Sequence, residues 1–332
     1  FNTVEIHQAE VRIANSEFVD NLSGDGGQAS ANRFGRGPNG PGVIFTLGAQ
    51  PVIIGNTITG TVGIPDINDP SGLTRGPGPA MSFDANSLSY HMVSDPGRLR
   101  GPIGERSDVR NNHGALIRGN TIEDNDLNGM IVRGTIVTTQ SVWDDTGIVH
   151  LVFEEIVVPD VDTIGGLRLQ SSPNESLVVK LAGPDAGLSA TGQPQDVLGR
   201  IGGTVQILGQ PGNPVILTSV HDDTEGAGFV TDTNANGDLT LPNSGDWRGI
   251  VFDRFTNDRN VQVHIEQESV GISQRPTNDS AANAELVGNL ASTLRGGDDV
   301  RRLGFEIHGQ ISQDSDVDVY SFEADGGTPV SY

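Results

Sequence analysis

Three stretches of the sequence repeat one phrase: Ile13-Ala14-Asn15-Ser16, Ile54-Gly55-Asn56-Thr57-Ile58 and Ile117-Arg118-Gly119-Asn120-Thr121-Ile122. Counted from asparagine to asparagine, the phrases lie 41 and then 64 residues apart. These spacings are close to two and three multiples of a unit of roughly 21 residues, and such self-similarity is typical of solenoids. In a solenoid the Ile before each asparagine points inward and the asparagine amide bonds to backbone groups of neighbouring coils. We therefore predict a structural ladder of Asn15, Asn56 and Asn120.

Clusters of β-branched residues, separated by turns, run through most of the chain. The 332 residues include 45 Gly and 18 Pro, with abundant Asn, Asp and Thr, which is typical of many short strands divided by turns. Because the turns are irregular in length, a parallel β-helix fits better than a meander of hairpins. The sequence therefore predicts an all-β fold, a parallel β-helix (solenoid) with long loop excursions. Strands are predicted at residues 4–13, 42–46, 52–54, 115–117, 130–138, 148–158, 167–169, 177–181, 204–208, 215–218, 249–252 and 261–265, and one helix at residues 279–290.

Three long loops rich in Gly and Pro interrupt this pattern, at residues 23–41, 64–79 and 95–111. They carry little apolar content, so we expect them to lie outside the core. They are either decorations of the scaffold or its working surface.

The charge of the chain limits its partners. A formal net charge of −23 and a pI near 4.4 argue against nucleic acid or an anionic membrane, which require clustered Lys and Arg. Bound cations, above all Ca²⁺, would relieve the repulsion among so many carboxylates. The absence of cysteine excludes disulfides, zinc-thiolate sites and thiol catalysis. No apolar run reaches the roughly 20 residues that a membrane helix needs, so no membrane insertion is predicted.

Two resemblances to known families refine the prediction. The repeated asparagine phrase resembles that of right-handed parallel β-helix proteins of secreted bacterial type. Residues 142–265 resemble a region of very large bacterial cell-surface proteins. In those relatives the region is taken as a scaffold beside adhesion or anchoring modules, so the resemblance implies an extracellular, cell-surface location. The phrases that carry it are Val142-Trp143-Asp144-Asp145-Thr146, Gly165-Gly166-Leu167-Arg168-Leu169, Glu175-Ser176-Leu177-Val178-Val179-Lys180-Leu181, Ile201-Gly202-Gly203-Thr204-Val205-Gln206-Ile207, Pro214-Val215-Ile216-Leu217-Thr218-Ser219 and Gly245-Asp246-Trp247-Arg248-Gly249-Ile250.

A candidate Ca²⁺ loop lies inside this region, at Asp232-Thr233-Asn234-Ala235-Asn236-Gly237-Asp238-Leu239-Thr240. Oxygen-bearing side chains at positions 1, 3 and 5, followed by Gly at position 6, match the first half of a Ca²⁺-binding loop. Position 12 is Asn243 and not the usual Glu, so further ligands would come from Asp222, Asp223 or Glu225. The alternative is a solvated turn rich in Asn and Asp. The predicted metal ligands are Asp232, Asn234, Asn236, Asp238 and Thr240.

The last segment, residues 277–332, resembles the bacterial pre-peptidase C-terminal domain, a small β-sandwich. The resemblance rests on Asn278-Asp279-Ser280 and on Asp316-Val317-Asp318-Val319-Tyr320, in which alternation places both aspartates on one face. We interpret Asn278, Asp279, Asp316 and Asp318 as candidate ligands of a second Ca²⁺, with a solvated strand edge as the alternative. The predicted domains are a β-helix at residues 1–272, incomplete at its N-terminus, and the start of the sandwich at residues 273–332.

Parallel β-helices include polysaccharide lyases and hydrolases, so we also consider pairs of neighbouring charged residues as candidate catalytic groups. Three pairs are available: Asp144 with Asp145, Asp222 with Asp223, and Asp253 beside Arg254. Neighbouring residues of a strand point to opposite faces, so each pair offers at most one carboxylate to a face. We interpret these acids as solvating turns and loops, and the seven scattered His show no metal-ligand spacing. No catalytic residue is predicted.

The predicted function is that of an extracellular structural or adhesive protein of a bacterial surface or matrix. It would be stabilised by Ca²⁺, and its partners would be further copies of itself or other surface proteins. The alternative is a β-helix module that binds or cleaves polysaccharide.

Overall fold

The computed structural model describes most of the first 253 residues, residue 256 and four short stretches after it. The described ranges are residues 2–23, 40–64, 78–91, 112–134, 136–138, 140–159, 166–192, 202–228, 230–253, 256, 260–265, 280–290, 303–308 and 319–324. The predicted long loops lie almost wholly outside these ranges. Over the described ranges, no helix has the length and apolar character that a membrane crossing requires.

The fold is all-β and rich in strands. Over the described ranges the only helical elements are two 3-10 turns, at Ala85–Ser87 and Gly237–Leu239. The strands are β1 (Val4–His7), β2 (Arg12–Ala14), β3 (Glu17–Val19), β4 (Leu22–Ser23), β5 (Ile44–Leu47), β6 (Val52–Ile54), β7 (Thr57–Thr59), β8 (Val62–Gly63), β9 (Pro79–Asp84), β10 (Leu116–Arg118), β11 (Thr121–Glu123), β12 (Leu127–Arg133), β13 (Gln140–Trp143), β14 (His150–Val152), β15 (Glu155–Val158), β16 (Gly166–Gln170), β17 (Leu177–Leu181), β18 (Gly183–Ala190), β19 (Thr204–Leu208), β20 (Val215–Ser219), β21 (Trp247–Phe252), β22 (Asn260–Ile265), β23 (Glu285–Leu290), β24 (Leu303–His308) and β25 (Tyr320–Ala324).

The largest sheet has seven parallel strands, in the order β1-β5-β9-β12-β14-β17-β20. Each strand pairs with one that comes later in the chain, so the sheet is built in sequence order. The shortest step is 20 residues, from Met130 to His150. This step agrees with the predicted unit of roughly 21 residues. Longer steps, such as 40 residues from Val4 to Ile44, contain excursions.

Smaller parallel sheets accompany the large one. Three-stranded sheets have the orders β2-β6-β10, β3-β7-β11, β13-β16-β19 and β15-β18-β21, and β4 pairs with β8. A strand of the large sheet is therefore followed along the chain by one to three strands of these smaller sheets before the chain returns to the large one.

The core lies on the inner face of the large sheet, defined as the face that packs on the other sheets. Alternate strand residues contribute to it, as expected from the two-residue period of a strand. The fully buried members with the largest side chains include Ile53, Met81, Phe83, Met130 and Trp143. A second apolar cluster lies on the outer face of the same sheet.

Polar side chains connect the layers at the corner after β2, β6 and β10. The Asn120 Oδ1 accepts hydrogen bonds from the Asn56 backbone N–H and Nδ2, both at 2.9 Å. The Asn56 Oδ1 in turn accepts from the Ser16 N–H at 3.0 Å, and each amide donates to the carbonyl of the Ile in the preceding layer. The predicted ladder is therefore confirmed for Asn56 and Asn120, while Ser16 occupies the third place.

Asn15 is the member of the ladder that was predicted wrongly. The sheet register pairs Ile13 with Ile53, and Ile53 with Ile117. Asn15 consequently lies level with Gly55 and Gly119, and all three have a positive φ, of 52°, 65° and 62°. Asn tolerates this left-handed conformation better than most residues. The three phrases therefore lie in consecutive layers. The spacings that suggested two and three units each correspond to a single layer that contains a loop excursion.

Contacts divide the chain into two compact units. The first comprises residues 1–192 and 202–256, and the second comprises residues 193–201 and 257–332. In the second unit, β22 pairs in parallel with β24, and β23 pairs in parallel with β25. The predicted helix at residues 279–290 is wrong, because residues 285–290 form β23. Pairing with β25 outweighs the helix propensity of the alanines, which lie in the turn before the strand.

Candidate functional site

The acidic segment between β20 and β21, residues 220–246, crosses the outer face of the large sheet, and we call it the strap. Its two ends meet, since the Ser219 hydroxyl donates to the Asp246 Oδ2 at 2.6 Å. The Asp246 carbonyl accepts from the Gly183 N–H at 2.7 Å. Apart from residue 229, the whole strap belongs to the described residues. Hydrogen bonds to β20 and β18 therefore hold the two ends of the strap together.

Lys180, the only lysine of the chain, binds the strap from the side of the large sheet. It projects from the outer face of β17 and is completely buried. Its Nζ donates to the carbonyls of Asp222, at 2.6 Å, and Thr231, at 2.7 Å. Burial lowers the pKa of this amine, and the carboxylates of the strap oppose that shift, Asp223 and Asp222 foremost. One ammonium thus connects two parts of the strap that are nine residues apart.

Apolar contacts and one asparagine complete the attachment of the strap. Val220 and Ala227 pack on the outer-face cluster, whose buried members on the sheet side are Leu127, Ile131, Val149, Leu151 and Val178. The Asn128 N–H donates to the Thr233 carbonyl at 2.7 Å, and the Asn128 Nδ2 donates to the Asp232 carbonyl at 3.2 Å. The strap therefore reaches from β20 back to β12.

The predicted Ca²⁺ loop forms the outer part of the strap. The Asp232 carboxylate accepts from the backbone N–H groups of Asn236, at 3.2 Å, and Gly237, at 2.8 Å. The Asn236 Nδ2 donates to the Thr240 hydroxyl at 2.7 Å, and that hydroxyl also lies 3.0 Å from the His221 Nδ1. Asp238 lies in the 3-10 turn Gly237–Leu239. The loop is held in a tight turn of the kind that Asx residues make.

Two amide oxygens of this turn are candidate ligands for a cation. The Oδ1 atoms of Asn234 and Asn236 are buried and have no hydrogen-bond partner. A buried amide oxygen without a partner is costly, and amide oxygens are ligands that Ca²⁺ accepts. Within the described residues, no three His, Cys, Asp or Glu side chains converge as a metal-ligand group, so a cation here would depend on amide and hydroxyl oxygens beside Asp232.

The other predicted ligands are used differently or lie elsewhere. Asp222, proposed as a supplementary ligand, accepts from the Thr218 hydroxyl at 2.6 Å and from both the N–H and the hydroxyl of Thr224. Partial burial raises the pKa of Asp222, but these hydrogen bonds lower it on balance. The candidate ligands of the second site, Asn278, Asp279, Asp316 and Asp318, lie outside the described residues.

A second polar cluster was not predicted, and it surrounds Asp144 and Asp145. The Asp144 Oδ2 lies 2.7 Å from the His113 Nδ1, and the Asp144 carbonyl accepts from Arg118 at 2.7 Å. The Asp145 Oδ1 accepts from the Ile117 N–H at 3.0 Å and lies 3.4 Å from an Arg118 nitrogen. Burial raises the pKa of Asp145 to about 8, against the opposing charge of Arg118.

Our interpretation of this acidic pair as solvating turns is therefore wrong. Asp144 is 7% exposed and Asp145 is 1% exposed, because the turn after β13 packs against the residues that begin β10. The two carboxylates bind different groups, so they do not converge on one point. They join two layers of the fold, and no sequence pattern indicated that His113 and Arg118 would meet them.

The surface near this cluster carries an aromatic pair. The rings of Tyr90 and His91 lie 4.4 Å apart between centroids, both residues are exposed, and the His91 carbonyl accepts from the Gly114 N–H. A cleft of about 50 Å³ lies between β11, the turn at Gly147 and the strap residues Ala227, Gly228 and Val230. Its volume is far below the roughly 300 Å³ at which small-molecule pockets begin.

Comparison of the chain with protein-family models, with curated proteins and with solved structures gave no match. The geometry of the strap and of the layers therefore carries the functional argument.

Proposed function

We propose that the chain forms a right-handed parallel β-helix that serves as an extracellular scaffold of a bacterial surface or matrix. The observation that carries this proposal is the seven-stranded parallel sheet, whose strands follow one another in sequence order. Between them the chain visits smaller parallel sheets in a recurring succession, as the coils of a solenoid do. The hydrogen bonds that link Ser16, Asn56 and Asn120 support the same arrangement.

Deletion of one whole coil tests the solenoid. Met130 pairs with His150, so removal of residues 130–149 joins equivalent points of two layers. In a solenoid each repeat contacts only its neighbours, and we expect this variant to keep the β-sheet circular dichroism and a cooperative unfolding transition. Removal of residues 130–139, half a coil, is the matched control and is expected to abolish both. Loss of folding in the whole-coil variant alone would contradict the solenoid.

Ca²⁺ is proposed to stabilise this scaffold through the turn at Asp232. The ion would supply a partner for the buried amide oxygens of Asn234 and Asn236 and reduce the repulsion within a chain of net charge −23. Thermal unfolding with and without a chelator tests this, because a ligand that binds only the folded state raises the midpoint. We expect the wild-type midpoint to fall in EDTA and that of Asn234→Ala to respond less. An unchanged wild-type midpoint would remove Ca²⁺ from the proposal.

Self-association along the sheet is the form of assembly that the fold favours. Among the described strands, β1 and β20 are the outermost of the large sheet, and an edge strand offers backbone groups to a further chain. Sedimentation velocity over a range of protein concentrations tests this proposal. A sedimentation coefficient that grows with concentration supports it, and a single monomeric species throughout would refute it.

The second candidate function, a module that binds or cleaves polysaccharide, has one observation in its favour. The exposed ring pair of Tyr90 and His91 lies next to Gly114, and Gly114 follows His113, the partner of Asp144. An aromatic face beside a hydrogen-bonding group is a common element of ligand sites. Binding to an array of immobilised polysaccharides, lost in Tyr90→Ala, would place this function first.

A further inference from the structure

Two of the three methionines of the chain lie level with a buried histidine in the large sheet. Met81 on β9 pairs with Met130 on β12, and Met130 pairs with His150 on β14. All three side chains are completely buried. Aliphatic residues bound the row, with Ile44 beside Met81 and Val179 beside His150. The row therefore consists of two thioethers and one imidazole on three consecutive strands.

The row points into the interior of the fold. Both methionines belong to the core cluster, whereas Val149 and Leu151, which flank His150 in the sequence, belong to the cluster on the outer face. Alternation along the strand consequently places His150 on the inner face. Its imidazole stacks on the Trp143 ring, with 5.4 Å between centroids and 12° between planes. Neighbouring strands lie about 4.8 Å apart, so the three side chains of the row occupy adjacent positions.

The imidazole of His150 lacks the partners that a buried polar ring requires. Within the described residues, neither Nδ1 nor Nε2 has a hydrogen-bond partner. Burial lowers the pKa of the ring to about 3, the nearby Ile148 backbone raises it without reaching hydrogen-bond geometry, and Arg118 lowers it. The ring is therefore neutral near pH 7, and a neutral imidazole carries a lone pair on one nitrogen. That lone pair is buried next to two thioethers, where it costs free energy unless a partner binds it.

The ligand types in the row select the class of that partner. Thioether sulfur and imidazole nitrogen suit Cu(I), whereas Ca²⁺ and Mg²⁺ prefer oxygen. Methionine is unbranched and has three rotatable bonds, so each sulfur can turn toward the neighbouring imidazole. All three ligands are neutral, so a monovalent ion leaves the smallest charge in the interior. A metal-bound imidazole usually donates its other N–H to a nearby carbonyl, and the Ile148 backbone, which already acts on the ring, is suited to that role.

We propose that Met81, Met130 and His150 form a buried site for the soft monovalent ion Cu(I). The ion supplies the partner that the imidazole lacks and joins three consecutive strands of the large sheet. The site is separate from the turn at Asp232, because it lies on the inner face and uses sulfur and nitrogen in place of oxygen. It depends neither on Ca²⁺ nor on the role of the chain as a scaffold. Its residues are 49 and 20 apart in the sequence, so the sheet register, and no local motif, brings them together.

Equilibrium urea unfolding with and without Cu(I) tests the site. Within the transition the chain unfolds and refolds, so burial does not keep the ion from its ligands. The buffer is free of oxygen and contains EDTA, which removes Ca²⁺, and tryptophan fluorescence follows the first unit, to which both tryptophans belong. A ligand that binds the folded state raises the midpoint. For wild type we expect a rise of about 1 M in urea when Cu(I) exceeds its dissociation constant about a hundredfold.

Three variants assign this rise to the proposed ligands. Met130→Leu and His150→Phe are expected to lose most of it. Leu for Met nearly conserves volume, and each variant is compared with itself in the absence of Cu(I), so a general change of stability does not affect the result. Met92→Leu is the matched control, since it removes the third methionine, which lies outside the described residues, and it is expected to keep the full rise. No rise in wild type, or an equal rise in Met130→Leu, would overturn the proposal.

X-ray absorption at the copper edge identifies the ligands in wild type and does not depend on how the variants fold. The sample is protein refolded from urea with one equivalent of Cu(I). Because the chain has no cysteine, any sulfur bound to the copper belongs to methionine. We expect sulfur and nitrogen neighbours in a ratio of about two to one. Copper bound by nitrogen and oxygen alone would indicate adventitious binding at other histidines and refute the site.

Discussion

Truncation of Asn120 to alanine tests the energetic weight of the corner ladder. The Asn120 side chain accepts two hydrogen bonds from Asn56 and donates one to the Ile53 carbonyl, all at 2.9 Å. The variant loses these three bonds and leaves partners in the interior, since Asn56 is only 1% exposed. At about 1 kcal/mol for each bond, the expected loss in the free energy of unfolding is about 3 kcal/mol.

The chain provides a matched control and a suitable signal. Asn15→Gly changes the asparagine that lies outside the ladder, at a positive φ where the neighbouring layers have Gly55 and Gly119, and we expect it to alter stability by less than about 0.5 kcal/mol. Urea unfolding followed by tryptophan fluorescence reports on the first unit, because both tryptophans, Trp143 and Trp247, belong to it.

A ladder without energetic weight would give a different result. If Asn120→Ala shifts the urea midpoint no more than Asn15→Gly does, the hydrogen bonds between layers contribute nothing net, and the stacking of apolar side chains alone holds the layers. A change in the slope of the transition, with an unchanged midpoint, would point to the unfolded chain instead.

Three further variants test buried groups. Wild type is expected to lose stability as the pH rises from about 4 to about 8, because a folded-state pKa raised to about 8 favours the neutral carboxyl of Asp145. Asp145→Asn is expected to remove this loss, and unfolding at both pH values measures it. His150→Phe is expected to flatten the loss of stability in acid, because burial lowers the His150 pKa to about 3 and the unfolded state binds the proton first; the measurement is unfolding at pH 7 and 4.5. Gly203→Ala is expected to cost about 2 kcal/mol or more, since its Cβ would lie 1.8 Å from the Val158 carbonyl, while Gly166→Ala, with 3.7 Å to the nearest atom, is the neutral control in urea unfolding.

Local sequence patterns predicted correctly those strands whose own residues have a high strand propensity. The predicted residues 52–54, 177–181 and 204–208 are the strands β6, β17 and β19 with the same bounds. Two predicted strands were too long, because residues 4–13 and 148–158 each turn a corner and form two strands. The first corner is made by Gln8, which has a φ of 49°. A residue of that type does not indicate a left-handed turn in the sequence.

Strands that depend on pairing were missed. β18 has the sequence Gly-Pro-Asp-Ala-Gly-Leu-Ser-Ala, which has low strand propensity, but it pairs with β15 on one side and β21 on the other. Pairing and burial outweigh propensity in such a position. The ladder was assigned one residue out of place for a related reason: the first phrase was aligned on its asparagine, whereas the register is set by the inward Ile13 and Ile53.

The candidate site was predictable only in its local part. The turn at Asp232 follows from the spacing of oxygen side chains along nine residues. The attachment to Lys180 spans 42 residues to Asp222 and 51 to Thr231, and the pair of His113 and Asp144 spans 31. Contacts of this length depend on how many residues each excursion holds, which no local period encodes. A lone lysine inside an apolar strand of an acidic chain is a sequence feature from which this attachment could have been inferred, and our sequence analysis did not use it.

Several of the few cationic side chains donate hydrogen bonds to backbone carbonyls, including those of the strap, and this use bears on the acidity of the surface. Parallel ladders satisfy the backbone carbonyls within a sheet, so carbonyls need other donors where the chain leaves the ladder. Lys180 supplies them to Asp222 and Thr231, and Arg118 supplies them to Ile117 and Asp144. Arg133 donates to the carbonyl of Thr46, which lies within β5. Cations engaged in this way are buried or partly buried, so they neutralise surface carboxylates less than their number suggests. The chain has 20 Lys and Arg against 43 Asp and Glu, and an excess of carboxylates of this size favours the binding of external cations.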